Sequence, residues 1–159
     1  MESRERELFD YRDGKLYWKK STNSSITVGQ EAGTYRNSDG YHIVGFDGKN
    51  RRIHRVIWAY HYGEIEEGVF VDHINRDPFD NRIENLRLCN KAQNNANSKV
   101  RSDNNLGIKG VCVSGSKFRA RVSKQGKEIH LGNFDTIEEA HAAYLKAAEE
   151  VFGEFACGG

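Results

Sequence analysis

The sequence has few cysteines and no long apolar run. Three of its 159 residues are cysteine and none of them forms a C-x-x-C pair, so neither a disulfide framework nor a cysteine-rich zinc site is predicted. No apolar stretch approaches the roughly 18 residues that cross a bilayer, and the N-terminal segment is highly charged. These absences argue against secretion and membrane insertion. We expect an intracellular, cytoplasmic protein.

A large excess of charge of either sign is also missing. The formal net charge is +1, which argues against a uniformly basic nucleic-acid-binding protein. The charge is unevenly distributed, because residues 99–130 carry eight Lys or Arg against two acids, whereas the segment from Leu131 onward carries six acids against Lys146. This asymmetry predicts one basic surface backed by an acidic helix, as in a phosphate-binding module. The alternative interpretation is a solvated charged face.

The first part of the chain predicts hairpins followed by a strand, loop, strand and helix. FDYRDGKLYWKK and GYHIVGFDGKNRR each alternate around an Asp-Gly turn, which indicates two β-hairpins. A short helix follows, with Val56, Ile57 and Tyr60 at helical spacing, and we expect Trp18 and Trp58 in the core. VFVDHI, NRDPFDNRIEN, LRLC and NKAQNNANSK then predict a strand, a polar loop, a strand and a helix that begins at the N-cap Asn90.

The remainder predicts a second, smaller module. SKVRSDNNL has no hydrophobic period and indicates a linker. IKGVCVS, KFRARVS and KEIHLGNF predict a three-stranded antiparallel sheet, and Thr136 with Glu139 forms a capping box before a helix with an alanine-rich face. The predicted fold class is α+β, with domains at residues 1–98 and 106–159, a linker at 99–105, and no internal repeat.

The stretch VDHINRDPFDNRIENLRLCNKAQNN places an acid beside an imidazole and follows them with side-chain amides. Phosphodiester hydrolysis needs a hard cation to neutralise developing charge and a base to take a proton from water, and Asp72 and His73 could contribute to each. A second oxygen ligand could come from Asn94, Asn95 or Asn97, and such oxygen ligands suit Mg²⁺ or Mn²⁺ better than zinc. The alternative is an ordinary loop ion pair followed by turn and cap residues.

D-H-I, then E-N-L-R, then Asn94, resembles the HNH (His-Asn-His, ββα-metal) endonuclease motif in its H-N-N form, and the resemblance covers most of residues 40–98. The family implies that Asp72 and Asn94 hold one metal ion, that His73 is the general base, and that Asn85 ties the loop closed. Asn94 stands where the founding motif has histidine, which argues against a zinc-type site.

A basic patch precedes this motif. Arg51, Arg52 and Arg55 could grip phosphate near the cut, and Arg87 is a further candidate. The alternative is that the arginines form a hydrated surface and that His54 is a structural histidine. We do not count His54 as catalytic.

The predicted sheet carries a second resemblance. Alternation in KFRARVS sends Phe118, Ala120 and Val122 to one face and basic residues to the other, and such a cationic sheet can enter a DNA major groove. G-V, F-R-A, L-G-x-F-D-T-x-E-E-A and A-Y-x-x-A-A resemble the Apetala-two/ethylene-response-factor (ERF) DNA-binding domain of plant regulators and phage endonucleases. The middle strand has Phe118 where that family has tryptophan. By position, the best candidates for DNA contact are Arg119 and Arg121, with Lys109, Lys117, Lys124 and His130 in support.

Together the two resemblances imply a site-specific DNA endonuclease similar to phage homing endonucleases. It would use one Mg²⁺ or Mn²⁺ per active site, act on double-stranded DNA, and leave 5′-phosphate and 3′-hydroxyl ends. We expect no small-molecule organic cofactor and no membrane partner, and a monomer or homodimer in the host cytoplasm if the protein is phage-encoded. The alternatives are a DNA-binding regulator with an inactive nuclease domain and, less well supported, a toxin-like nuclease of low specificity.

Overall fold

The protein folds into two compact units, Met1–Leu88 and Cys89–Gly159, in a computed structural model. The structure describes residues 3–36, 40–98, 100, 104–124 and 126–156. Most of the predicted linker 99–105, and the third cysteine, Cys157, lie outside the described residues. The mixture of small antiparallel sheets with helices confirms the α+β fold class.

The first unit consists of short strands around one main helix. Its elements are α1 (Arg4–Leu8), β1 (Phe9–Arg12), β2 (Lys15–Trp18), β3 (Thr34–Arg36), β4 (Tyr41–Phe46), β5 (Lys49–Arg52), α2 (Ile53–Tyr62), β6 (Phe70–His73), a 3-10 turn (Ile83–Asn85) and β7 (Leu86–Cys89). Strands β1 and β2 pair, β4 lies between β3 and β5, and β6 pairs with β7. Strand β7 ends at the first residue of the second unit.

Both predicted hairpins of the first unit are confirmed, and each turns on an Asp-Gly pair. Asp13 and Gly14 have φ values of 44° and 80°, and Asp47 and Gly48 have 50° and 70°. Positive φ at both central residues gives a turn whose twist matches that of the flanking strands, and aspartate followed by glycine tolerates this conformation. The short helix α1 and the third strand β3 were not predicted.

Aromatic rings form the centre of the first unit's core. Phe9 is fully buried, and its ring centroid lies 4.6 Å from that of Trp18 and 5.3 Å from that of Phe46. Ile57 of α2 is also fully buried, whereas Trp58 packs against the core at its edge. Complete burial of a side chain of this size contributes about 1.5–3 kcal/mol. Helix α2 and both hairpins are therefore held by one shared core.

The second unit contains α3 (Lys91–Asn97), β8 (Val111–Ser114), β9 (Lys117–Lys124), β10 (Lys127–Phe134), α4 (Ile137–Phe152) and a 3-10 turn (Gly153–Phe155). The three strands are antiparallel in the order β10-β9-β8. Ala120 and Val122 of β9 are buried against Ala140, Tyr144 and Ala148 of α4. The predicted sheet, its helix and the alternation of β9 are confirmed.

Helix α3 belongs to the second compact unit. It begins at the predicted N-cap Asn90, which forms a capping box with Gln93. Its C-terminal end is bound by Lys109, whose ammonium Nζ donates to the carbonyl oxygens of Asn95 at 3.0 Å and Ser98 at 2.6 Å. A cation at these carbonyls is favourable for a helix C-terminus. The compact units therefore divide before α3, and the predicted functional division at residues 98 and 106 stays a prediction.

Within the part of the chain that the structure describes, no helix combines the length and apolar character that crossing a membrane requires.

Gly110 allows the second unit to pack closely. A Cβ atom at Gly110, whose φ is +71°, would overlap the ring of Tyr144 on α4. We expect Gly110→Ala to lower the free energy of unfolding by about 1–3 kcal/mol of overpacking, in addition to about 1–2 kcal/mol for alanine at positive φ. Urea unfolding followed by far-ultraviolet circular dichroism measures this.

Gly115→Ala is the matched control, because Gly115 has a φ of +64° and nothing lies within 4 Å of an added Cβ. It should show only the cost of positive φ. Equal destabilisation by the two variants would contradict the close-packing explanation.

Candidate active site

The loop between β6 and β7 is held closed by side-chain amides. Asn85 is buried; its Oδ1 accepts from the backbone N–H of Asn75 at 3.1 Å, and its Nδ2 donates to the carbonyl oxygen of Asp80 at 2.7 Å. The same Nδ2 lies 3.0 Å from Oδ1 of Asn75. One amide therefore joins both ends of the polar loop, and the backbone bond from Ile74 N–H to the Asn85 carbonyl closes it further at 2.9 Å.

His73 stands at the end of β6 and is fixed by an amide from this loop. Its Nε2 lies 2.9 Å from Oδ1 of Asn81, and both side chains are buried. The Asn81 amide is itself oriented by Nδ2, which donates to the carbonyl oxygen of Phe79 at 3.4 Å. An amide oxygen can only accept, so Nε2 carries the hydrogen and Nδ1 is the basic nitrogen of the His73 ring.

Two further rings surround His73. The ring centroid of His54 lies 4.9 Å away in an edge-to-face arrangement, and the ring of Tyr41 stacks over His73 at 6.4 Å. Burial, followed by the positive fields of His73 and two nearby arginines, lowers the pKa of His54 to about 3. His54 is therefore a neutral buried ring at neutral pH, which fits the structural interpretation of this residue.

Asp72 is buried in an ion pair. Its Oδ2 accepts from Nε of Arg87 at 3.1 Å, and the two side chains are only 11% and 12% exposed. Removing one partner of a buried pair leaves an uncompensated charge and costs about 3–5 kcal/mol. Arg87 thus holds the Asp72 carboxylate in place, and its predicted contact with DNA phosphate stays a prediction.

Strand β6 offers one carboxylate, that of Asp72, to a possible cation. A carboxylate has two oxygens, so Asp72 can accept from Arg87 with one and bind a cation such as Mg²⁺ or Mn²⁺ with the other. Among the residues described, no group of three or more His, Cys, Asp or Glu side chains is arranged to hold a metal. The other predicted ligand, Asn94, is an amide on α3, half-buried in the second unit.

Arg51 and Arg52 at the end of β5 and Arg55 in the first turn of α2 are engaged with the first unit's own atoms. Nη1 of Arg51 donates to the carbonyl oxygen of Phe46 at 2.7 Å, and the Arg51 guanidinium lies 4.0 Å from the centroid of the Phe46 ring. Nη1 of Arg55 donates to the carbonyl oxygen of Val69 at 3.2 Å. The exposed Arg52 covers the Tyr41 ring at 4.3 Å. Arg52 therefore has the most solvent contact of the three.

The outer face of the second unit's sheet is basic, and its cations differ in their partners. Arg121 forms an exposed ion pair with Glu128 at 2.8 Å, and Lys117 forms one with Asp135 at 3.0 Å. Arg119 donates to Oγ of Ser114 at 2.8 Å. Lys124 is exposed at the end of β9, and His130 is exposed opposite Arg121. The remaining candidate, Lys109, differs from these residues: its ammonium binds the carbonyl oxygens at the end of α3.

Sequence reasoning missed Asn81 and Tyr41. Asn81 lies eight residues after His73 in a loop with several asparagines. Its position in the sequence does not distinguish it from the other asparagines of the loop. Its signal is chemical, since a buried imidazole needs a partner for its second nitrogen. Tyr41 contacts His73 only because β4 and β6 come together in the fold, and the sequence between them carries no sign of that contact.

The chain is similar in sequence to an endonuclease family and to viral and phage proteins. The family described as HNH endonuclease matches residues 51–96. An HNH endonuclease of Acanthamoeba polyphaga mimivirus is 36% identical over 123 residues, which cover 77% of this chain and 64% of the relative. Protein 3.8 of Escherichia phage T7 is 31% identical over 110 residues, 68% of this chain and 90% of the relative. DNA endonuclease I-HmuI of Bacillus phage SP01 is 32% identical over 118 residues, 71% of this chain and 63% of the relative.

The β-strand ending in Asp-His, the amide-closed loop and the second strand all lie within the residues that match the HNH endonuclease family. The chain contains an HNH endonuclease family domain at residues 51–96. It spans 64% of the mimivirus relative and 63% of the I-HmuI endonuclease. No solved structure matches the chain.

The buried His54 should make stability depend on pH. Its pKa is about 3 in the folded protein and near 6.5 when exposed, so between these values the unfolded chain binds the extra proton. The contribution of neutral His54 to the free energy of unfolding is therefore fully present above about pH 6.5. It falls as the pH is lowered, by up to about 1.4 kcal/mol per pH unit for one proton. Urea unfolding at a series of pH values tests this against His54→Gln.

The His54→Gln variant should lose that part of the slope, and so should His54→Leu, because neither replacement takes up a proton. Parallel curves for wild type and both variants between pH 6.5 and pH 4 would show that His54 is not the group responsible.

Proposed function

We propose that this protein is a metal-dependent DNA endonuclease of the homing type that hydrolyses phosphodiester bonds. The observation that carries the proposal is the buried pair His73–Asn81, with Nε2 held 2.9 Å from an amide oxygen. This bond selects the tautomer whose Nδ1 can accept a proton, the state that a general base requires. Membership in the HNH endonuclease family and similarity to a phage DNA endonuclease support the same activity.

The proposed cofactor is one Mg²⁺ or Mn²⁺ per active site. By the family resemblance, Asp72 and Asn94 are its protein ligands, both offering the oxygen atoms that these ions prefer. When bound, the ion supplies a positive charge that stabilises the phosphate and the departing oxygen. The ion pair between Asp72 and Arg87 supports the assignment, because it fixes the carboxylate before any ligand arrives.

The chain's own residues perform the remaining steps. His73 takes a proton from the attacking water, and the Asn81 oxygen steadies the Nε2–H side of the imidazolium that forms. Asn85 keeps the loop that carries Asn81 in its closed form. The neutral His54 beside His73 adds no second positive charge to the site at neutral pH. The products are a 5′-phosphate and a 3′-hydroxyl.

The second unit is proposed to bind double-stranded DNA through its sheet, as an ERF-like module. Alternation supports this assignment, because β9 buries Ala120 and Val122 and exposes Arg119 and Arg121. The exposed ion pair of Arg121 with Glu128 is worth about 0–1 kcal/mol, so phosphate or a guanine edge can replace the glutamate. With one active site per chain, a monomer nicks one strand and a homodimer cuts both.

Replacing His73 should remove most of the catalysis. We expect His73→Ala to lower Mg²⁺-dependent nicking of supercoiled plasmid at least about a hundredfold, and Asn81→Ala to lower it by about tenfold because the ring is still present but less well held. Agarose gels taken over a time course, with Mg²⁺ or with chelator, measure both.

Asn81→Asp is the matched control, since it keeps an oxygen that accepts from Nε2 and should nick faster than Asn81→Ala. DNA affinity should stay within about twofold in all three variants because none removes a phosphate contact. Bound but uncut DNA for the wild type, with Mg²⁺ and Mn²⁺ alike, would favour a DNA-binding regulator.

The second unit should divide its contacts between bases and phosphates. We expect Arg119→Ala to cost about 1–3 kcal/mol on the preferred site and little on random DNA, as for an arginine that reads a base edge. Lys124→Ala should weaken binding to both DNAs alike and reduce the slope of log affinity against log salt by about one. Fluorescence anisotropy at several salt concentrations measures these changes.

Lys109→Met is the matched comparison for Lys124→Ala, because it also removes one lysine from the second unit. Because the Lys109 ammonium binds carbonyl oxygens at the end of α3, its loss should leave the salt slope unchanged. An equal loss for Arg119→Ala on preferred and random DNA would contradict base reading by this sheet.

A further inference from the structure

Three aromatic rings of the first unit form a cluster that neither the core nor the proposed catalytic step uses. Tyr35 of β3 lies opposite His42 of β4, with ring centroids 5.8 Å apart in an edge-to-face arrangement. Phe79, from the loop between β6 and β7, lies 5.5 Å from each of them. We call Tyr35, His42 and Phe79 the aromatic platform.

The platform is open to solvent. Tyr35 is 49% exposed and Phe79 is 53% exposed, although each ring contacts the other two. Single exposed aromatic residues are ordinary, but neighbouring ones that form a continuous surface indicate a binding site. The planes of the two exposed rings, Tyr35 and Phe79, are 35° apart, whereas His42 meets both edge to face. The face of an aromatic ring suits a planar ligand.

The backbone links the platform directly to the candidate general base. The carbonyl oxygen of Phe79 accepts from the Asn81 backbone N–H at 3.2 Å and from the Asn81 side chain at 3.4 Å. The Asn81 oxygen in turn meets His73 at 2.9 Å. The Phe79 N–H is held by Oδ1 of Asp77 at 2.9 Å. Phe79 is thus a fixed residue of the loop that orients His73.

Two exposed arginines accompany Tyr41, the neighbour of the platform residue His42 on β4. Arg36 follows Tyr35 on β3 and is exposed; because successive strand residues point to opposite faces, it shares a face with its strand partner Tyr41, whose ring stacks over His73, and not with Tyr35. Arg52 is also next to Tyr41: its guanidinium lies 4.3 Å from the centroid of the Tyr41 ring. The nearby acids Asp77 and Asp80 are engaged inside the loop, where Asp80 pairs with Arg82 at 2.8 Å.

We infer that the aromatic platform stacks an unstacked nucleobase of the DNA substrate next to the phosphate that His73 serves. Exposed aromatic rings on the loop that orients His73 match a nucleobase next to the phosphate at which the proposed base acts, and base–aromatic stacking is tolerant of sequence. A base inside a duplex is covered on both faces, so only a base that has left the stack can present one to Tyr35 or Phe79. The inference rests on the proposed function, since it assumes a DNA substrate.

The test measures stacking by fluorescence and needs no cleavage. The probe is a DNA duplex with one bulged 2-aminopurine, an adenine analogue whose fluorescence is quenched by stacking, and binding is measured with chelator present. We expect the wild type to quench the probe, and Phe79→Ala and Tyr35→Ala to lose the quenching and to bind roughly tenfold more weakly. The salt slope should not change, because no phosphate contact is removed.

Tyr62→Ala is the matched control. Tyr62 is the most exposed tyrosine of the first unit at 66%, and its ring contacts Trp58 and His61 rather than the platform. It should quench and bind as the wild type does. Phe79→Trp should restore quenching and Phe79→Leu should not, because leucine fills space but offers no π face. This pair separates stacking from simple packing of the loop.

Failure of the inference and failure of the proposed function give different results. A wild type that nicks plasmid while Phe79→Ala and Tyr35→Ala behave like Tyr62→Ala overturns the stacking inference alone. A wild type that quenches the bulged probe but never cuts DNA overturns the nuclease proposal alone. Sedimentation of the protein without DNA measures its oligomeric state. A dimer that Phe79→Ala abolishes would identify the platform as a contact between copies and overturn the inference.

Discussion

The closed loop between β6 and β7 is the constraint on which the candidate site depends. Asn85 joins the two ends of that loop with one amide, and the same loop carries Asn81 to His73. A loop held only by water would leave the His73 ring free to rotate and to change tautomer. The amide bonds remove that freedom in the free protein, and the proposed role of His73 as a general base requires such orientation in advance, because an oriented group loses little entropy during a reaction.

Local chemistry made the framework predictable. Asp-Gly pairs set the two hairpins because few other residues accept positive φ at both central positions, and side-chain alternation set the buried face of β9. Asn90 and Thr136 marked helix starts because their side chains satisfy backbone N–H groups that a helix leaves unpaired. Each of these signals is complete within a few residues, which is why the α+β class and most element boundaries followed from the sequence.

The destinations of long side chains could not be predicted in the same way. Arg87 meets Asp72 across 15 positions of the chain, and Lys109 reaches the end of α3 across 11 to 14. A charge pattern identifies both residues as basic and gives no direction for the side chain, which tertiary packing decides. For Asn81 the sequence offers too many equivalents, because the loop contains three asparagines and only the folded backbone selects one of them for His73.

Burial separates the basic residues into two groups with different energetics. The ion pair of Arg87 with Asp72 is removed from water, so breaking it costs about 3–5 kcal/mol. Binding of a phosphate to Arg87 would have to offset that loss. The pair of Arg121 with Glu128 is about half exposed on both sides and is worth about 0–1 kcal/mol, so a phosphate can displace the carboxylate with little loss. Although the net charge of the chain is only +1, the acids that neutralise this face are weakly held, and the proposed binding of DNA by the second unit depends on their displacement.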